Sequence, residues 1–184
     1  MINVSVDAKK VNRKLQRLQE GLSHKQVASA LDSSLQSTRS YASRVARSFV
    51  NLKAKDIYEN VRTNTKGDSI LMYKTSHGQL NGYLLFTSYR HNIAFFGARS
   101  RKKGAAVTTW RHRGVQHYPS AWQKKTKPGA WFRRLGPKRI PYESISGPSM
   151  AEVIEPVKIL ITDFAEERMG KEYMRKLRGL VARG

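Results

Sequence analysis

The feature that most constrains this chain is a stretch without carboxylates that runs between Asp68 and Glu143. Residues 69–142 contain 15 lysines and arginines and all three tryptophans of the chain, but no aspartate or glutamate. Because these cations have no ion-pair partners close in sequence, a surface built from them should face a polyanion or an acidic partner. The same composition argues against a divalent-metal site there, since hard cations prefer carboxylate oxygens.

The whole composition narrows the class of protein further. A length of 184 residues predicts one domain over residues 1–184, and a net charge of +22 is best tolerated beside a polyanion. The absence of cysteine excludes disulfides, thiolate zinc sites and a cysteine nucleophile. No apolar run reaches the ~20 residues of a membrane span, and the first residues lack the pattern of a signal peptide. We therefore expect synthesis in the cytoplasm and no membrane partner.

Hydrophobic periodicity predicts mainly helices in the first third of the chain. Alternation over residues 2–6 indicates a short strand, and apolar steps of three and four indicate helices over 8–20 and 23–50. A third short helix is expected over 53–62. The helix over 23–50 has one apolar stripe, and its other positions are mostly small or polar. It fits either a core helix with a solvated face or a helix that packs against another subunit.

The middle of the chain changes character. Runs rich in Ile, Leu, Phe and Tyr predict antiparallel strands over 69–75, 83–89 and 92–98. From 99 to 140 the periodicity is lost, and glycines, prolines and basic pairs predict a long basic loop, or an arm that folds on contact.

The last third returns to helix. Gly147-Pro148 predicts a turn, Ser149 and Glu152 a capping box, and Pro156 an interruption. An amphipathic helix should follow, with a stripe that includes Val157, Leu160, Ile161, Phe164, Tyr173, Leu177 and Leu180. The predicted fold class is α+β: an antiparallel sheet flanked by a long N-terminal helix and a C-terminal amphipathic helix.

Patterns that carry catalysis are missing from the sequence. His112 and His117 are five residues apart, but neither a carboxylate nor a cysteine lies nearby to complete a metal site. No Gly-x-Ser-x-Gly motif occurs, and Gly170-Lys171 is followed by Glu172 and not by the Ser or Thr of a phosphate loop. We expect no enzyme activity, no catalytic residue, no metal, no cofactor and no small-molecule substrate.

The basic stretch instead has the composition of a nucleic-acid surface, with cations for phosphates and aromatic rings for stacking. The predicted contact residues, for nucleic acid or an acidic partner, are Arg99, Arg101, Lys102, Lys103, Arg111, Arg113, Lys124, Lys125, Lys127, Arg133 and Arg134. The interleaved tryptophans either stack on bases or pack this segment onto the rest of the protein; for each one singly, packing is favoured. No sequence-reading module is present, so contact should be independent of base sequence.

Residues 139–150 carry a family resemblance. Arg139-Ile140-Pro141, a short strand, and then Gly147-Pro148-Ser149 opening a helix resemble the signature of the minor tail protein Z family, the tail completion proteins of lambda-like long-tailed phages. Pro141, Gly147, Pro148 and Ser149 would form a structural elbow. The order of a small-residue helix, basic sheet, basic arm and C-terminal helix also agrees.

The resemblance implies a structural protein of the virion, at the head-proximal end of the tail. Its partners would be further copies of itself in a ring of six, the tail terminator, the neck or connector proteins, and packaged double-stranded DNA. Assembly would take place in the cytoplasm of the bacterial host. The main alternative is a free, sequence-nonspecific nucleic-acid-binding protein, nucleoid-like or ribosome-associated. A phosphodiesterase would need a metal or an acid–base pair that the sequence does not offer.

Overall fold

The computed structural model describes residues 2–6, 24–57, 70–74, 82–124, 127–137 and 140–181. The helix predicted over 8–20 and the end of the one predicted over 53–62 lie outside these ranges. The described α-helices are α1 (His24–Phe49), α2 (Ala54–Ile57), α3 (Met150–Ile154) and α4 (Lys158–Val181). The described strands are β1 (Ile2–Val6), β2 (Ile70–Lys74), β3 (Gly82–Phe86), β4 (Arg90–Asn92), β5 (Arg99–Arg101), β6 (Gly104–Val107), β7 (Gln116–Pro119), β8 (Trp122–Lys124), β9 (Lys127–Arg134), β10 (Tyr142–Ser144) and β11 (Ser146–Ser149).

The two long helices α1 and α4 pack against each other. A stripe of small residues on α1, spaced by four, is buried: Ala30, Ser34, Thr38, Ala42 and Ala46. The Ser34 hydroxyl donates to the Ala165 carbonyl oxygen over 3.1 Å, and the Tyr41 and Phe164 rings stack with centroids 4.1 Å apart. Small side chains let the helices approach closely, so this stripe of α1 is used inside the chain, as in the core-helix interpretation.

An antiparallel sheet in the order β1-β3-β2 packs on α1 through β3 and β2. Leu84 and Phe86 of β3 are fully buried, and Gly82 at the start of β3 lies against Leu35 of α1. A side chain at position 82 would overlap the Leu35 side chain and force it to shift, so glycine favours the close approach of strand and helix.

The segment predicted as a loop or arm over 99–140 contains regular structure instead. Strands β5, β6 and β7 form one antiparallel sheet, and β8, β9 and β10 form another. Most of these strands are three or four residues long, too short to produce a hydrophobic period. Their pairings also join positions that sequence periodicity does not connect.

The strand predicted over 92–98 is wrong after Asn92. Residues Ile93–Phe96 form a 3₁₀ turn, because the Asn92 side chain accepts a hydrogen bond from the Ala94 N–H and caps the turn. Gly97 ends it with a left-handed φ of 78°.

The turn predicted at Gly147-Pro148 is also wrong. Both residues belong to β11, which pairs with β4 across a register shift between Ser146 and Ser149. Proline has no N–H to contribute to a ladder, so a bulge is the place where a strand accepts it.

The remaining C-terminal expectations are largely confirmed. Ser149 and Glu152 form both hydrogen bonds of a capping box at the start of α3. Pro156 sits in a short 3₁₀ turn, Glu155–Val157, that separates α3 from α4. Leu160, expected in the buried stripe of α4, is 51% exposed, whereas Ile161, Ala165 and Met169 form the buried face.

One hydrophobic cluster joins these elements. It combines residues of α1, β3, the 3₁₀ turn after β4, β6, β9, α3 and α4. Antiparallel sheets with a long helix on each side in sequence confirm the predicted α+β fold. None of the described helices has the length and apolar character that crossing a membrane requires.

Candidate functional site

The β5–β6 hairpin presents the densest group of predicted contact residues. Arg99, Ala106 and His117 are register partners across β5, β6 and β7, so their side chains lie on one face of the sheet. Arg101 lies on the same face, and Lys102 and Lys103 form the two-residue turn. The opposite face carries Ala105 and Val107, which are buried in the core. The sheet therefore turns its cations outward.

The shape of the hairpin turn depends on Gly104, whose φ is +139°. A side chain there would overlap the Tyr118 carbonyl oxygen, and the Ser120 N–H donates to the Lys103 carbonyl oxygen over 3.0 Å. Strand β7 thus holds the turn in place, and Lys102 and Lys103 are presented on a fixed backbone.

The hairpin exposes four basic side chains: Arg99, Arg101, Lys102 and Lys103. Within the described part of the chain, no carboxylate forms an ion pair with any of them. We call these four residues the hairpin cations. Their positive potential is therefore available to an external anion.

Arg111 and Arg113 lie in a 3₁₀ turn, Arg111–Arg113, that follows the far end of β6. The Arg111 Nε donates to the Val50 carbonyl oxygen at 3.3 Å, just after the C-terminus of α1. The Arg113 guanidinium lies 5.4 Å from the centre of the Trp110 ring. Arg111 therefore has a structural contact at the end of a helix, whose dipole favours a cation.

The predicted cations of the second sheet do not form one surface. Arg133 is paired with Glu143 of the neighbouring strand, whereas Arg134 is exposed on the opposite face. Lys124 and Lys127 are register partners at the β8–β9 connection. Lys125 lies outside the described residues.

The three tryptophans differ in their surroundings. Trp131 is buried in the core, and Trp110 is half-buried against it. Trp122 contacts Phe132 and Tyr142 on the outer face of the second sheet, with ring centroids 5.7 and 5.6 Å away. Trp131, and in part Trp110, therefore serve packing, the alternative that the sequence favours for each tryptophan singly.

The Asn92 side chain joins three strands, β4, β9 and β10, and the 3₁₀ turn that follows β4, a role that no periodicity in the sequence predicts. Its Oδ1 accepts from the N–H groups of Trp131 and Ala94, each over 3.0 Å. Its Nδ2 donates to the Trp131 carbonyl oxygen and the Ser144 hydroxyl, each over 2.8 Å. Two backbone donors aimed at one amide oxygen fix the orientation of this amide. The one local signal for this role of Asn92 is that an asparagine can cap the turn that follows it.

The residues of the predicted elbow lie between the second sheet and α3. Pro141 is exposed and follows Ile140 in a cis peptide bond, whereas Gly147, Pro148 and Ser149 are buried. A side chain at Gly147 would overlap the Phe96 ring. Glu152, the capping-box partner of Ser149, also pairs with Arg90 of β4.

His91 is the titratable group of this region whose pKa departs from its ordinary value. It is buried beside the rings of Tyr89 and Phe95, with centroids 5.3 and 5.2 Å away. Burial lowers its pKa, and the Asp56 carboxylate opposes that shift. Among the described residues, no group of three His, Cys, Asp or Glu side chains is arranged to hold a metal ion.

Comparison with known proteins gives one result that covers nearly the whole chain. The family model described as Prophage minor tail protein Z (GPZ) matches residues 7–181. No curated protein and no solved structure matches the chain. The match includes both long helices, the basic sheet and the segment that carried the resemblance in sequence. The chain therefore belongs to the prophage minor tail protein Z family, and this membership supports a structural role in a phage tail.

Proposed function

We propose that this protein is a tail completion protein of the virion, located at the head-proximal end of the tail. It assembles there as a ring, with six copies, next to the tail terminator and the neck or connector proteins. The signature over residues 139–150 supports this position, since it is the part of the sequence that resembles tail completion proteins. Assembly takes place in the host cytoplasm before tails join heads. The role requires no catalytic residue and no cofactor.

We further propose that the hairpin cations face the DNA path of this ring. The observation that carries this assignment is their outward position on a fixed hairpin without described ion-pair partners. Packaged DNA presents phosphates at every base pair, so a set of exposed cations binds it without reading its sequence. Arg113 extends the contact, whereas Arg111 and Arg133 hold the protein together.

The elbow has a positioning role in this proposal. Ser149 and Glu152 start α3 while Glu152 also holds Arg90 of β4, so the paired strands β4 and β11 and the C-terminal helices are fastened at one point. Gly147 allows that point to lie directly on the Phe96 ring. The elbow therefore sets the angle between the paired strands β4 and β11 and the C-terminal helices.

Charge reversal tests the DNA-facing assignment. We expect Arg101→Glu, Lys102→Glu and Lys103→Glu together to lower the infectious titre of the phage, because three attractive contacts to phosphate become repulsive. The variant should still enter particles, as measured by mass spectrometry of purified virions. Its melting temperature should stay near that of the unchanged protein, because none of the three side chains has a described ion pair.

A matched control reverses Arg44, Arg47 and Arg178, which are exposed on α1 and α4. Both triple variants lower the net charge by the same amount, so a general charge effect would reduce both titres alike. An unchanged titre for the hairpin variant would overturn the assignment. Absence of the protein from particles, together with steeply salt-dependent DNA binding by the free chain, would favour the free nucleic-acid-binding protein.

A further inference from the structure

The start of α4 forms an acidic and apolar surface that the basic composition of the chain does not lead one to expect. Residues 152–167 contain five carboxylates and a single lysine, in a protein whose net charge is +22. On this surface Ile159 is 77% exposed and Leu160 is 51% exposed. We call Glu155, Ile159, Leu160 and Asp163 the helix patch.

The helix patch lies outside the face of α4 that serves the core. Ile161 and Ala165 are fully buried against the rest of the chain, whereas Glu155, Ile159 and Asp163 are exposed. Ile159 and Leu160 are adjacent and are flanked by the exposed carboxylates of Glu155 and Asp163, and an exposed apolar patch with a polar rim is a feature of surfaces that bind a partner. Asp163 has no ion pair among the residues that the structure describes.

The tip of the β9–β10 hairpin has the complementary character. Leu135 is 58% exposed and Ile140 is 69% exposed, and the Leu135 N–H donates to the Pro141 carbonyl oxygen, which closes the hairpin beneath them. The exposed Arg134 precedes this apolar pair. We call Arg134, Leu135 and Ile140 the hairpin patch.

We propose that the helix patch of one copy binds the hairpin patch of a second copy of this chain. Leu135 and Ile140 pack on Ile159 and Leu160, and Arg134 pairs with Asp163 or Glu155. Both patches are exposed within one chain, so the contact forms between chains. Because the two patches in a contact differ, a row of bound copies has one free patch at each end until the row closes into a ring. The inference rests on the proposed self-assembly and specifies its contact.

The absence of cysteine makes a direct test possible. Chains carrying Leu135→Cys are mixed with chains carrying Ile159→Cys at high concentration and oxidised, first as free protein and then in particles. We expect a mixed covalent dimer, and no dimer from either variant alone. Val115→Cys, at a side chain that is 59% exposed, replaces Leu135→Cys as the matched control and should give none.

A charge exchange tests the polar part of the contact. Arg134→Glu should abolish the mixed dimer, and adding Asp163→Arg on the partner chain should restore it. Both measurements are made without DNA, so a loss of DNA contact cannot imitate the result. Circular dichroism spectra that match the unchanged protein establish that each variant is folded.

The outcomes separate this contact from the proposed function. If particles hold several copies but give no more mixed dimer than the Val115→Cys control, the proposed contact is overturned and the ring stands. A mixed dimer in the free protein, with only one copy in each particle, supports the contact and overturns the ring. Dimers from one variant alone would show a two-fold symmetric interface and also overturn the proposed pairing.

Discussion

At the residue scale, the predicted contact residues separate into two groups once their neighbours are known. The hairpin cations have no described partners, whereas Arg111 and Arg133 contact Val50 and Glu143. All of these cations can be listed from the sequence, because charge is visible there. The two groups cannot be separated from the sequence, because the Val50 partner lies 61 residues from Arg111.

Asn92 gives the first residue-scale prediction. We expect Asn92→Ala to lower the free energy of unfolding by roughly 2–4 kcal/mol, because two backbone N–H groups and a carbonyl lose their partner. Urea denaturation followed by circular dichroism measures the change. Asn51→Ala, which removes one hydrogen bond to the Phe96 carbonyl oxygen, is the control. An Asn92 variant no less stable than the Asn51 variant would contradict the role of Asn92 as a junction.

His91 gives a prediction about pH. Burial lowers its pKa in the folded protein, whereas the unfolded chain has the ordinary value of about 6.5. The folded state is therefore favoured fully above about pH 6.5, and its stability falls as the pH drops below that value, because the unfolded chain binds the proton more readily.

Denaturation at a series of pH values measures this dependence. His91→Gln should reduce the loss of stability between pH 7 and pH 5, even though the substitution itself destabilises the buried site. His112→Gln removes an exposed imidazole in the same way and serves as the control. An equal pH dependence for the unchanged protein and the His91 variant would show that His91 does not contribute.

At the element scale, the predictions that succeeded rest on local signals. The capping box of Ser149 and Glu152 and the interruption at Pro156 follow from residues within a few positions of each other. The strands over 99–140 were missed because their partners are distant and each strand is short. Glycine and proline in this segment are typical of a loop, yet Gly104 shapes a hairpin.

Arg111 gives the element-scale prediction. Because it donates to the Val50 carbonyl oxygen after α1, Arg111→Gln should lower the free energy of unfolding by about 0.5–1.5 kcal/mol. Arg101→Gln, at an exposed side chain without a described ion pair, should change stability by less than about 0.5 kcal/mol. Thermal and urea denaturation measure both.

DNA binding by the same two variants should show the reverse order. Arg101→Gln should weaken binding and reduce its dependence on salt, because one phosphate contact is lost. If Arg101→Gln destabilised the fold as much as Arg111→Gln, the division between structural and contact cations would be wrong.

At the scale of the whole molecule, the fold class could be predicted from the sequence. The distribution of charge over the surface could be predicted only in part. The long helices at either end of the chain and the antiparallel strands between them were predicted, and the family match over residues 7–181 agrees with the resemblance. The exposed Leu160 beside Ile159 was not predicted, because an amphipathic pattern alone assigns such residues to the core.

The central claim is that this protein is a fixed component of the head-proximal tail, and quantitative mass spectrometry of purified phage particles tests it most directly. Particles from a lysate that encodes this chain are washed at high salt and compared with the portal protein as an internal standard. The account predicts a constant number of copies, consistent with a ring of six, that survives the wash. Absence from particles, or a copy number that falls with salt, would contradict it.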